Sequence, residues 1–145
     1  MPYKNILVAI DLSEESDQVV AKAKETAELF GAEISLISVI EPLHQVYGDA
    51  LSPYGTHKSV DYEARKEAES KLKEIAWDLD ISPSDCYVPL GNPTGKIRET
   101  ALKLKSDLIV IGTHGRKGVK KLFLGSNAQS LLNGTQTDVQ VIRIT

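Results

Sequence analysis

Leu108-Ile109-Val110-Ile111 is an unbroken apolar run with three β-branched members, a pattern that suits a strand covered on both faces in a parallel sheet. Residues 6–10 and 34–40 carry similar runs, and between such runs the apolar period changes from two to three or four. Val19, Val20, Ala23, Ala27 and Phe30 fall at helical spacing behind the turn Asp11-Leu12-Ser13. Ser13 is the expected N-cap there, with Glu14, Glu15 and Asp17 favourable in the first turn and Gly31 closing the helix. The strands expected are residues 3–10, 33–40, 83–90, 108–111 and 138–144, the last with Val139, Val141, Ile142 and Ile144 inward. The helices after the first are residues 59–79, starting at Ser59, then 93–105 behind Asn92-Pro93, and 127–133. Pro89 assigns the third strand to an edge. Residues 41–56, with Pro42, Gly48, Pro53 and Gly55, read as a long loop.

Five strands alternating with four helices predict one α/β domain over residues 1–145, a doubly wound Rossmann-like parallel sheet in the order 3-2-1-4-5. In such sheets a ligand sits beyond the C-terminal strand ends where the order reverses, here between strands one and four. The segment leaving strand four reads Gly112, two residues, Gly115, nine residues, Gly125-Ser126 and then a helix. Glycines let the backbone approach a bulky anion, and a helix start offers bare amides to phosphate. The same residues also make ordinary turns, and Ser126 an ordinary N-cap.

Other phosphate sites fit poorly. Asp11-Leu12-Ser13-Glu14-Glu15-Ser16 lacks the glycines of a dinucleotide turn, and Gly91-Asn92-Pro93-Thr94-Gly95-Lys96 is one residue short of a P-loop, with Ile97 where Ser or Thr belongs. No carboxylate ends strand three, as a receiver-type acidic pocket would need. His44, His57 and His114 have no metal-ligand spacing, and the single Cys86 excludes an internal disulfide and reads as structural. A net charge of -3 argues against nucleic acid, and no apolar run reaches the ~18 residues of a membrane span. With no signal-peptide pattern at the N-terminus, a cytoplasmic location is expected.

Over essentially its whole length the sequence resembles the universal stress protein family. The resemblance is carried by Lys4-Asn5-Ile6-Leu7-Val8-Ala9-Ile10-Asp11-Leu12-Ser13, by Leu36-Ile37-Ser38-Val39 and by Asp107-Leu108-Ile109-Val110-Ile111-Gly112-Thr113-His114-Gly115. The Gly-x2-Gly-x9-Gly-Ser spacing is similar to that of the family's ATP-binding branch. That likeness implies ATP or another adenine nucleotide, with Mg, as the ligand. It implies that Ala9 and Asp11 border adenine and ribose, that Val39 walls the adenine, and that Ile111, Gly112, Thr113, His114, Gly115, Arg116 and Lys117 wrap ribose and phosphates. It further implies phosphate contacts from Gly125, Ser126 and Asn127. Two positions depart from the family's habit: Ala9 stands where Pro is frequent, and Asn127 where a small apolar residue is common. Asp11 also has a purely local reading, capping the first helix alongside Ser13.

The resemblance implies a homodimer formed through the last strand, residues 139–144, and a nucleotide-dependent regulator that signals to an unidentified protein partner with little or no turnover. A weak ATPase or phosphotransferase, or a nucleotide-free dimeric interaction module, are the alternatives.

Overall fold

The structure, a computed structural model, describes residues 2–42, 56–113 and 126–145, with the side chains of 56–59, 126 and 127 left out. Its elements in chain order are β1 (Asn5–Ala9), α1 (Ser16–Phe30), β2 (Glu33–Ile37), α2 (Thr56–Asp78), β3 (Cys86–Tyr87), α3 (Pro93–Leu104), β4 (Leu108–Gly112), α4 (Ser126–Gly134) and β5 (Asp138–Ile142). The strands form one parallel sheet in the order β3-β2-β1-β4-β5, as the alternation of apolar runs and amphipathic segments predicts.

Because side chains alternate across a strand, each strand feeds two cores. Ile6, Val8, Leu36, Leu108 and Val110 face the layer that holds Val19, Val20 and Ala23 of α1 and Leu72 and Ala76 of α2. Leu7, Ala9, Ile37, Ile109 and Ile111 face the other layer, against Ile97 and Ala101 of α3 and Ala128 and Leu131 of α4. The two central strands are apolar on both faces because both faces are roofed. Each fully buried aliphatic side chain contributes roughly 1.5–3 kcal/mol relative to exposure.

Local signals explain most boundaries. Gly31 closes α1 at φ 64°, its amide donating to the Ala27 carbonyl, where a residue with a Cβ is disfavoured. Asn92 Oδ1 accepts from the Gly95 amide at 3.0 Å, with Pro93 in the first turn of α3. At the opposite end of the sheet from the candidate site, the Asp107 carboxylate accepts from the amides of Lys4 (2.9 Å) and Asn5 (3.1 Å). This part of the family-like motif therefore fastens the start of β1 to the start of β4.

Several boundaries differ from the sequence expectation. Strand three shrinks to Cys86–Tyr87, because Ser82 accepts from the Ser84 amide and starts a 3-10 turn over Pro83–Asp85. Pro89 still serves the edge, its carbonyl accepting from Ile40, and Ile40 and Leu90 form an isolated bridge. α2 begins at Thr56, so Ser59 is inside the helix and not its cap. Phe30 is 42% exposed; it lies outside the buried stripe and its ring meets Tyr3 edge-on, centroids 5.2 Å apart. On β5, Val139 and Val141 are only half-buried, since among the described residues this strand pairs with β4 alone. β5 also stops at Ile142, two residues before the expected end, and the chain beyond it is held by side chains.

Candidate functional site

The site expected at the reversal of strand order starts from the β1–β4 register, which sets Ala9 beside Ile111 at the C-terminal ends of the two central strands. Both side chains belong to the α3/α4 layer, as does the half-buried Val39 just past β2. Ala128, two residues into α4 from its start at Ser126, is buried in the same layer. The first turn of α4 and the apolar ends of three strands thus share one layer at this end of the sheet. Val39 adds a polar edge. The amides of Ser38 and Ile40 donate to Tyr87 and Pro89 on the β3 side, so strand alternation turns the main chain of Val39 the other way. There it faces β1 beyond the last ladder bond, from Ile10 N to Ile37 O at 3.0 Å.

Asp11 follows directly from β1 and organises the turn into α1. Its Oδ1 accepts from the Ser13 amide (3.0 Å), the Ser13 hydroxyl (2.6 Å) and the Ser16 hydroxyl (3.0 Å). Ser13 is consequently not the N-cap. Glu15 occupies that position with no side-chain bond, and Ser13 is held as the last residue of an Asx-type turn that Asp11 starts. Leu12 adopts φ 63°, a left-handed conformation that costs a residue with a bulky side chain of order 1 kcal/mol or more. The carboxylate network and the partial burial of Leu12 hold this turn in place. Ser16, 3% exposed, escaped the sequence reading; its signal was the Asp-x-Ser-x-x-Ser spacing.

Gly112 is glycine for a reason the sequence did not reveal. It is not among the described glycines with positive φ, and an added Cβ would lie 2.6 Å from Ile144 Cδ1 and 3.1 Å from Val19 Cγ2. Those atoms are on the α1 side of the sheet, away from the floor formed by Ala9 and Ile111. Here the missing side chain makes room for the tail after β5. Thr113 extends the β4–β5 ladder, its amide donating to Ile142 O at 2.9 Å, and its Oγ1 accepts from the Ile144 amide at 3.1 Å.

The structure thus brings Ala9, Asp11, Val39, Ile111, Gly112 and Thr113 to one end of the sheet. Ser126 and Asn127 form the first turn of α4, and their side chains lie outside the described set. His114, Gly115, Arg116, Lys117 and Gly125 lie outside the described residues, as do the neighbouring Lys120 and Lys121. Among the described residues, no three His, Cys, Asp or Glu side chains gather as a metal site, and no helix is long and apolar enough to cross a membrane.

Cys86 starts β3, away from this end, with its Sγ 4.0 Å from the carbonyls of Leu72 and Ser82. Burial raises the thiol pKa above its ordinary value; Asp85 adds to the rise and Lys73 opposes it. Since the thiolate is the reactive form, a raised pKa leaves less of it at any pH below the folded-state value. Alkylation by iodoacetamide near pH 8 is therefore expected to be slower in the folded protein than in urea, with the gap narrowing as pH rises. Equal rates would show that the thiol is not shielded.

A family model described as the universal stress protein family matches residues 2–143. A Coxiella burnetii protein named universal stress protein A homolog 2 is 40% identical over 145 residues, covering 98% of this chain and 96% of its own. The solved universal stress protein UspA from Lactobacillus plantarum superposes with a TM-score of 0.83 at 20% identity, over 99% of both chains. A universal stress protein solved in complex with cAMP superposes with a TM-score of 0.61 at 22% identity, over 100% of both. The family match spans nearly the whole chain, and the chain belongs to the universal stress protein family.

Proposed function

We propose that this protein binds an adenine nucleotide, ATP with Mg, at the C-terminal ends of β1, β2 and β4, and acts as a homodimeric, cytoplasmic regulator with little or no turnover. One observation carries the reading: α4, which starts at Ser126, packs in the same layer as Ala9, Val39 and Ile111, at the end of the sheet where strand order reverses. An adenine ring needs a flat apolar bed and an edge of main-chain hydrogen-bonding groups, which Val39 supplies in this reading. Phosphates need amides free at a helix start, and Ser126 and Asn127 offer them. Asp11, already fixed by Ser13 and Ser16, accepts from the ribose, while Ile111, Gly112 and Thr113 line the passage between the two. His114, Gly115, Arg116, Lys117 and Gly125 enter this reading through the sequence resemblance.

The dimer follows from β5. Among the described residues this strand pairs on one side only and carries Val139 and Val141 half-buried, so a second copy pairing through residues 139–144 covers an edge that otherwise invites aggregation.

The cAMP complex of a structural neighbour supports a second ligand, a cyclic adenine nucleotide, at the same floor. Melting curves with Mg-ATP, AMP or cAMP separate the two. A ligand at ten times its dissociation constant stabilises the fold by about 1.4 kcal/mol, a rise of roughly 3–6 °C for a chain of this size. Gly125→Val is expected to erase the rise and leave the unliganded melting point in place. No shift with any adenine nucleotide refutes the nucleotide reading and leaves the interaction module; sustained phosphate release that Asp11→Ala abolishes favours the ATPase.

A further inference from the structure

We propose that Thr113 couples the candidate nucleotide site to the open edge of β5 through the tail that follows that strand, so that nucleotide binding and self-association strengthen each other. The proposal rests on the nucleotide and dimer readings above and adds the link between them.

The tail leaves the sheet at Ile142 and is held at three points. Thr113, one residue beyond β4, donates its amide to Ile142 O at 2.9 Å and accepts from the Ile144 amide through Oγ1 at 3.1 Å. The Ile144 side chain fills the space above Gly112 that a Cβ would otherwise claim. Thr145 is clasped by Gln18 of α1, its amide donating to Oε1 at 3.0 Å and its carbonyl accepting from Nε2 at 3.2 Å. The helix that holds the last residue is the one whose first turn Asp11 organises through Ser16.

The same few residues are therefore shared by two events. A ligand packed beside Thr113 orders the acceptor that receives Ile144. A second copy paired on β5 orders that segment from its other side. Whichever happens first removes conformational freedom that the second must otherwise remove, which gives positive cooperativity without any large movement. The coupling is reciprocal by thermodynamic necessity: the factor by which nucleotide tightens the dimer is the factor by which dimerisation tightens the nucleotide.

The test is sedimentation equilibrium of the full chain with and without saturating Mg-ATP, beside direct titration of ATP. The wild-type dimer dissociation constant is expected to fall about tenfold with nucleotide, inside the usual range for coupled sites. Gln18→Ala, outside both the nucleotide floor and β5, is expected to keep both binding events and lose most of that factor. Thr113→Ser, which keeps the hydroxyl, is expected to retain the coupling, and Thr113→Val to lose it. Amide exchange at Ile144 is expected to slow when nucleotide binds the wild type. A wild type that binds ATP and dimerises with an unchanged dimer constant overturns the coupling and leaves the function standing. A Gln18→Ala protein with the full effect overturns the route through the tail, and with it the proposal. A wild type that binds no nucleotide removes the function reading and the coupling together.

Discussion

Ile109→Ala is expected to lose about 2–5 kcal/mol of stability, the range for truncating a fully buried aliphatic side chain with partial collapse of the cavity. Ile109 is 0% exposed in β4, in register with Leu7 of β1 on one side and Val139 of β5 on the other. It lies in the layer that contains Leu131 of α4 and Ile97 of α3, so the cavity would open beneath both helices that roof the candidate site. Set against a total of about 5–15 kcal/mol for a typical native protein, this is the largest single-residue effect foreseen here. A fall in melting temperature of about 6–20 °C follows for a chain of this length. Leu102→Ala on α3 is the control: at 78% exposure the change should stay within about 0.5 kcal/mol. Urea titration of the two variants measures the difference, and a loss under about 1 kcal/mol at Ile109 would show that β4 is not roofed on the α3/α4 side.

The second large effect is at Gly112. Adding a valine side chain there drives it into Ile144 Cδ1 and Val19 Cγ2, and overpacking of this kind costs about 1–3 kcal/mol. Two readings of this glycine make opposite forecasts for the unliganded protein. If Gly112 is glycine only to admit a ligand, Gly112→Val leaves the apo melting point where it was and abolishes the nucleotide shift. If it is glycine to seat Ile144, the apo protein itself is weakened and the tail is displaced. The geometry supports the second forecast. Ile144→Ala in the same chain should then recover part of the loss, giving a double-mutant interaction of about 0.5–3 kcal/mol. Strict additivity of the two substitutions would sink the packing account.

The fold was readable at short range because burial leaves a periodic trace. The uninterrupted runs at residues 6–10 and 108–111 mark strands covered on two faces, and these became the neighbours β1 and β4 at the centre. Pro89 flagged one edge, and the alternation after Asp138 suits the other. The candidate floor was legible for the same reason, since Ala9, Val39 and Ile111 stand at the ends of recognisable runs. Caps were less legible. Asn92-Pro93 starts α3 as expected, but at the first helix one carboxylate outcompeted the obvious cap. A hydroxyl close to a helix start has several partners within reach, and sequence does not rank them. Here the charge-assisted bonds to Asp11 hold Ser13 two residues too early to cap α1.

By itself the sequence determined the alternation of elements, the faces each would bury and the place where strand order reverses, because these follow from local period and from the fixed hand of parallel crossovers. Only the tertiary structure decided why Gly112 carries no side chain and that Gln18 holds Thr145, 127 positions away. It also decided that Thr113 ties β4 to the tail beyond β5. These are questions of which distant atoms share a volume. Chain folding brings such atoms together without leaving a repeating mark on the residues between them.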